Sequence, residues 1–177
     1  MRMSSVPATD PWLGFVLDFC NTYDLLEDPP DRLTIPLVSR LAARHELADL
    51  RLTDADLEPV RVVRDELYRV FAEAEADAQY GVLNGIFGLH GATPQLVAGP
   101  RLAATGGPDP VARLAVAAAD ALARVVTEGA ADRLRTCAGD PCRCVYVDRT
   151  KANRRRYCCE LCNDRMASAA YRSRKSS

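Results

Sequence analysis

The sequence predicts a mainly α protein of the α+β kind. A helical amino-terminal body with a few short strands should be followed by a small cysteine-rich module ending in a basic helix. Three observations lead there. Two long segments carry apolar residues at helical spacing, the β-prone runs are brief and scattered, and six of the seven cysteines fall between positions 137 and 162. The charge divides the chain at the same place: residues 133–177 hold 12 Lys/Arg against 4 Asp/Glu, and residues 1–132 hold 11 against 20. The expected division is therefore 1–132 and 133–177, with the boundary near residues 130–135. An acidic body with a basic tail suits a chain whose tail meets a polyanion; the alternative is that the two halves pair with each other.

The elements follow in order. "GFVLDFCNT" reads as a short strand near residues 15–19, and "LLEDPPDRL" as a loop. Residues 35–50 show a helical stripe through Leu37, Leu41, Ala42, Leu47 and Leu50. A longer helix should start at Thr53, with Asp56 completing a short capping box, and run to about Ala76. "YGVLNGIFGLHG" is a weaker, glycine-interrupted helix, and "QLVAGPRLAAT" suggests two strands around a turn at Gly99 and Pro100. "PDPVARLAVAAADALARVV" has Asp109 as cap, Pro110 at the first position and Gly129 beyond its end. Leu114, Ala118, Ala121 and Val125 mark its apolar face.

The hydrophobic share of 48% and charged share of 27% are ordinary for a globular chain, and 177 residues can bury a core without disulfides. No apolar run approaches the roughly 20 residues of a membrane span, and the start does not read as a signal peptide. A cytoplasmic, reducing setting is expected, where clustered thiols bind metal or do redox chemistry more often than they form bridges.

"CAGDPC" bends two thiols around a turn, "VYVD" alternates as a strand, and a basic loop leads to "YCCELC". Two thiol pairs about fifteen residues apart match a structural Zn2+ site, which takes four ligands tetrahedrally. Metal binding would also supply folding free energy to a segment with little core of its own. Iron–sulfur ligation uses the same donors. A redox pair has the spacing at Cys159 and Cys162 but not the βαβ setting, and disulfides conflict with the reducing compartment. Cys137 and Cys162 are the outer ligands. Cys142 is favoured over Cys144, which lies at the strand, and Cys158 over Cys159, with that last choice open on spacing alone. Cys20 reads as a buried small apolar side chain.

At these residues the sequence resembles the CGNR zinc finger proteins whose amino-terminal part is the ABATE domain. "CAGDPC", "VYVD", "RRRYC" and "CNDRMASAAYRSR" stand where the family has its first Cys pair, strand, basic loop and closing helix. The naming tetrad reads Cys162-Asn163-Asp164-Arg165, keeping only its Cys and Arg, and "LDFCNT" resembles the signature that opens the ABATE domain. The resemblance implies Cys137, Cys142, Cys158 and Cys162 as zinc ligands, with Tyr157 where the family usually has Trp. It also implies a transcription regulator.

Arg149, Lys151, Arg154, Arg155 and Arg156 of the loop, with Arg165, Arg172 and Arg174 of the terminal helix, are the candidate nucleic-acid contacts. The resemblance favours DNA over RNA; the residues do not separate them. Tyr146, Tyr157 and Tyr171 are candidates for base stacking, with core packing favoured for Tyr157. In the terminal helix, Met166, Ala169, Ala170 and Ser173 are placed to face the metal module. His45 and His90 read as surface or helix-end residues. Asp18 and Asn21 read either as a hydrogen-bonded corner or as the lining of a small-molecule effector pocket. A closed four-thiolate site offers no position for water activation, so no enzyme is expected. The main expectation is a zinc-containing DNA-binding regulator; the alternatives are a protein-interaction adaptor or an RNA-binding protein.

Overall fold

The fold is a computed structural model that describes residues 10–48, 50–98 and 101–175. Helix α1 spans Pro11–Cys20, where a strand is expected from the local β propensity of Phe15 to Phe19. The helix wins because it is nucleated upstream: Asp10 caps it, accepting from the Trp12 and Leu13 amides at 2.9 and 3.4 Å, and Pro11 takes the first turn. Leu13, Val16, Phe19 and Cys20 then bury one helical face. Gly14 leaves room for the His45 ring, which a Cβ there would approach to 2.7 Å.

Helix α2, Ile35–Arg44, is shorter than its stripe suggests, ending where Glu46 takes a positive φ of 56°. The Thr53 and Asp56 box forms: the Asp56 carboxylate accepts from the Thr53 amide at 2.7 Å and its hydroxyl at 2.8 Å. It closes a single 3-10 turn that leads into α3, Leu57–Ala72. Helix α4 is Ala76–Leu89, and β1 (Thr93–Val97) pairs antiparallel with β2 (Arg101–Thr105). The expected turn at Gly99 and Pro100 lies outside the described residues.

Helix α5, Pro110–Val125, is the centre of the molecule. Asp109 caps it through the Ala112 amide at 2.7 Å, and Gly129, at φ 77°, lets the chain turn after it. Its alanines are small enough for α1, α3 and α4 to pack closely around it, and Leu114, Ala118, Ala119 and Leu122 are fully buried. Past the helix, β3 (Leu134–Thr136) pairs antiparallel with β4 (Val145–Val147), and α6 runs Glu160–Lys175. Leu134, Val145 and Val147 belong to the same hydrophobic cluster as the helices, so the β3–β4 hairpin is seated on the body. Among the described residues no helix is long and apolar enough to cross a membrane.

One buried charge fastens the loop after α1 to α3. Arg64, 3% exposed, donates to Asp31 at 2.7 and 3.2 Å and to the Thr22 hydroxyl at 3.3 Å. The hydrogen bonds from Arg64 hold the Asp31 carboxyl below its ordinary value. This contribution to stability is present above about pH 4 and is lost as pH falls through the depressed Asp31 value. Arg64→Ala should therefore lower unfolding free energy by about 3 kcal/mol in urea titrations, because it removes the buried partner of Asp31, which keeps only Arg61 at 3.3 Å and the Leu33 amide at 3.1 Å. Asp31→Asn should also weaken the fold at neutral pH and flatten the loss of stability on acidification.

Candidate metal centre and basic surface

The β3–β4 hairpin sets the first pair of thiols. Its ladder continues past β3, where the Cys137 amide donates to the Cys144 carbonyl at 2.8 Å. Residues 137–142 form the turn between the strands, Cys158 ends the basic loop, and Cys162 lies in the first turns of α6. The four Sγ atoms of Cys137, Cys142, Cys158 and Cys162 lie within 4.8 Å of one another. Cys142 and Cys158 are 3.8 Å apart at sulfur, and Cys158 and Cys162 are 3.7 Å apart. Ligands at about 2.3 Å from a tetrahedral ion sit about 3.8 Å from one another, whereas a disulfide would need about 2.05 Å. All seven cysteines are free. Cys159 is 3.8 Å from Cys158 but exposed and outside the set of four.

The surroundings suit thiolate charge. The Gly139 and Cys158 amides each donate to Cys137 Sγ at 3.4 Å, and Arg165 Nη2 is 3.7 Å from Cys162 Sγ. Burial raises the Cys137 thiol, but these amide bonds outweigh it and bring the group below its ordinary value. Burial pushes Cys162 up to about 12 and Cys158 higher still. A cation among the sulfurs is what would favour the thiolate forms of Cys158 and Cys162. Donor type, spacing and backbone donors all fit a tetrahedral metal site.

Asp148, fully buried, organises the basic loop. Its carboxylate accepts from the Thr150 amide and hydroxyl at 2.8 and 2.6 Å and from the Arg155 amide at 2.8 Å. Burial raises this carboxyl, yet the Thr150 and Arg155 bonds overcome it and hold it below the usual range. From the other side, Arg133 donates to the Asp148 and Thr150 carbonyls, and Arg135 to those of Asn153 and Arg155. The loop is thus held at both ends.

The candidate contacts divide into two groups. Arg155, exposed, donates to the Tyr157 carbonyl at 2.7 Å and to the Cys158 carbonyl, and Arg165 donates to the Gly139 carbonyl at 3.3 Å. Both are among the candidate contacts, and their guanidinium groups also tie the cysteine segments together. Arg149, Lys151, Arg154 and Arg174 are exposed and have no acidic partner among the described residues. Arg156 is exposed beside the Tyr157 ring, 5.6 Å from its centroid, and Arg172 is exposed near the end of α6. A cleft of about 500 Å³ between loop and helix is lined by Thr150, Arg154, Arg156, Glu160 and Asn163 among others. Tyr146 is buried with its hydroxyl on the Arg155 carbonyl at 2.7 Å, Tyr157 packs against the cysteines, and Tyr171 is exposed. On α6, Met166 and Ala169 are half-buried, whereas Ala170 and Ser173 are exposed.

Asp18 and Asn21 are engaged in hydrogen bonds that join elements of the fold, as the corner reading has them. Asn21 grips the Val145 backbone in both directions, donating to its carbonyl at 3.0 Å and accepting from its amide at 2.7 Å. Asp18 accepts from His45 at 2.9 Å and Arg44 at 3.2 Å, which ties α1 to the end of α2. His45 and His90 both sit at helix ends, the latter on Glu66 at 3.1 Å. Cys20 is buried as expected, and burial pushes its thiol up to about 12.

Residues 14–135 match the ABATE family, described as "Putative stress-induced transcription regulator". The chain belongs to this family. Residues 133–175 match the CGNR zinc finger, so the ABATE match ends where the zinc-finger match begins. Among curated proteins none matches the chain.

Sequence reasoning missed Asp148, Arg133, Arg135 and Arg143 as organisers of the site. Asp148 has a local signal, an acid ending a strand two residues before Thr150. Arg143 has none: its guanidinium lies between the Tyr23 and Tyr68 rings, at 4.6 and 4.0 Å, and both rings are distant in sequence. Asp148→Ala should leave three donors without an acceptor and cost about 1–3 kcal/mol. Amide exchange across residues 149–156 should then quicken ahead of exchange in α5.

Proposed function

We propose that this ABATE and CGNR protein is a zinc-dependent transcription regulator that binds nucleic acid, with DNA as its target. Cys137, Cys142, Cys158 and Cys162 would hold Zn2+, which would supply a rigid anchor where the chain has little apolar core. The basic loop and α6 would carry the contact surface, and the helical body would serve as a ligand-sensing or interaction domain. No enzymatic step is assigned to the metal, because four thiolates leave no open position for a reacting water.

The observation that carries this reading is the set of cations left without acidic partners. Arg149, Lys151, Arg154 and Arg174 extend around a framework in which Arg133, Arg135, Arg155 and Arg165 bond to backbone carbonyls. A polyanion is the partner that such a surface suits, and each phosphate it neutralises releases counterions.

Anisotropy of labelled duplex DNA across a salt series tests the proposal. Affinity should fall steeply with salt, and Arg154→Ala should weaken binding while lowering the log–log slope by about 0.9 for one lost phosphate contact. Arg155→Ala should instead disturb the loop itself, seen as faster amide exchange around residues 155–158. Absence of duplex binding at low salt would contradict the proposal. Binding of single-stranded RNA alone would move the target from DNA, and capture only of an acidic protein would favour an adaptor.

A further inference from the structure

Six thiols serve a site that needs four, and one of the two left over is not isolated. Cys144 Sγ, Cys142 Sγ and a carboxylate oxygen of Asp24 all lie within 4.8 Å of one another, on the body-facing side of the cysteine hairpin. We propose that Asp24, Cys144 and a bridging Cys142 form a second cation site, taking a thiophilic divalent ion such as Zn2+ or Cd2+ beside the four-sulfur centre.

The three donors come from segments already fixed by other bonds. The Cys144 carbonyl accepts from the Cys137 amide at 2.8 Å, so Cys144 is locked in the hairpin. The Asp24 amide donates to the Pro30 carbonyl at 2.9 Å, and its Oδ1 accepts from the Leu26 amide at 2.9 Å. The carboxylate faces Cys144 across the same cluster. Among the described residues Asp24 has no basic partner. The nearby Arg143 is held between the Tyr23 and Tyr68 rings. One carboxylate and two sulfur donors are therefore gathered, and among the described residues no ion pair engages the carboxylate.

The donor chemistry selects the ion. Two thiolates and one carboxylate suit zinc or cadmium better than magnesium or calcium, which take all-oxygen sets. A thiolate sulfur has lone pairs enough to bridge two such ions, so Cys142 need not leave the first site. On binding, Cys144 releases its thiol proton to solvent. Asp24 and Cys144 are half-buried, which leaves water access for a remaining position. The inference rests on the four-thiol reading for its bridging sulfur.

Equilibrium dialysis of the full chain against buffered free zinc, with metal per chain measured by mass spectrometry, tests the site. The wild type should hold two ions, Cys144→Ser and Asp24→Asn one each, and Cys159→Ser two. Loaded with cadmium-113, the wild type should give two resonances and Cys144→Ser should keep only the more deshielded one, from four sulfurs. One ion in the wild type and in every variant overturns the second site and leaves the first intact; no ion in the wild type overturns both. Two ions retained in both Cys144→Ser and Asp24→Asn place the extra ion elsewhere and overturn the assignment. Loss of both ions in either variant overturns it also, since neither residue belongs to the four-sulfur set.

Discussion

Four sulfurs drawn from a turn, a loop end and a helix start must lie within 4.8 Å of one another, and the carboxyl-terminal third of the chain is arranged around that requirement. The β3–β4 hairpin is only three residues long on each side, too short to be stable unaided. It persists because one face joins the helical core and its open end is closed by the cysteine cluster. The basic loop is then suspended between two fixed points, the buried Asp148 and Cys158. Charge display in this protein is a consequence of that suspension: backbone carbonyls bind Arg133, Arg135, Arg155 and Arg165, and Arg149, Lys151 and Arg154 are left to solvent or a partner.

The junction between body and hairpin passes through one short sequence. In "LDFCNT", Asp18 reaches α2, Asn21 reaches β4, and Thr22 accepts from Arg64 of α3. The Tyr23 ring, next in the chain, lies beside both Arg64 and Arg143. Three helices and the cysteine hairpin therefore meet at five consecutive positions and the rings beside them. A change in how the body packs would reach the metal centre by a short path, through Val145 and Arg143, and the reverse path is equally short.

Much of this was legible in the sequence where a signal is local. Asp109, Pro110 and the apolar face from Leu114 to Val125 mark α5, because capping and periodicity are written in neighbouring residues. The thiol pairs are likewise a matter of spacing, which leaves Cys158 and Cys159 open; the family resemblance points to Cys158, the one gathered with Cys137, Cys142 and Cys162. Where the reading failed, the deciding partner was elsewhere. Phe15 to Phe19 look β-prone on their own, but Asp10 and Pro11 start a helix upstream and α5 offers it a surface to cover. Strand β3 is three residues long and acquires meaning only from β4. Arg155 and Arg165 are indistinguishable in sequence from Arg154, since a guanidinium's charge is visible in the letter and the carbonyls around it are not. Asn21 reads as a turn residue until Val145, 124 positions later, is placed against it.

The central claim is that the four thiols act together on one ion, and X-ray absorption at the zinc edge tests it most directly. With one equivalent of zinc bound, a single shell of four sulfurs at about 2.3 Å is the predicted result. A shell mixing sulfur with nitrogen or oxygen, or a protein that binds no zinc because its cysteines have paired with one another, would contradict it.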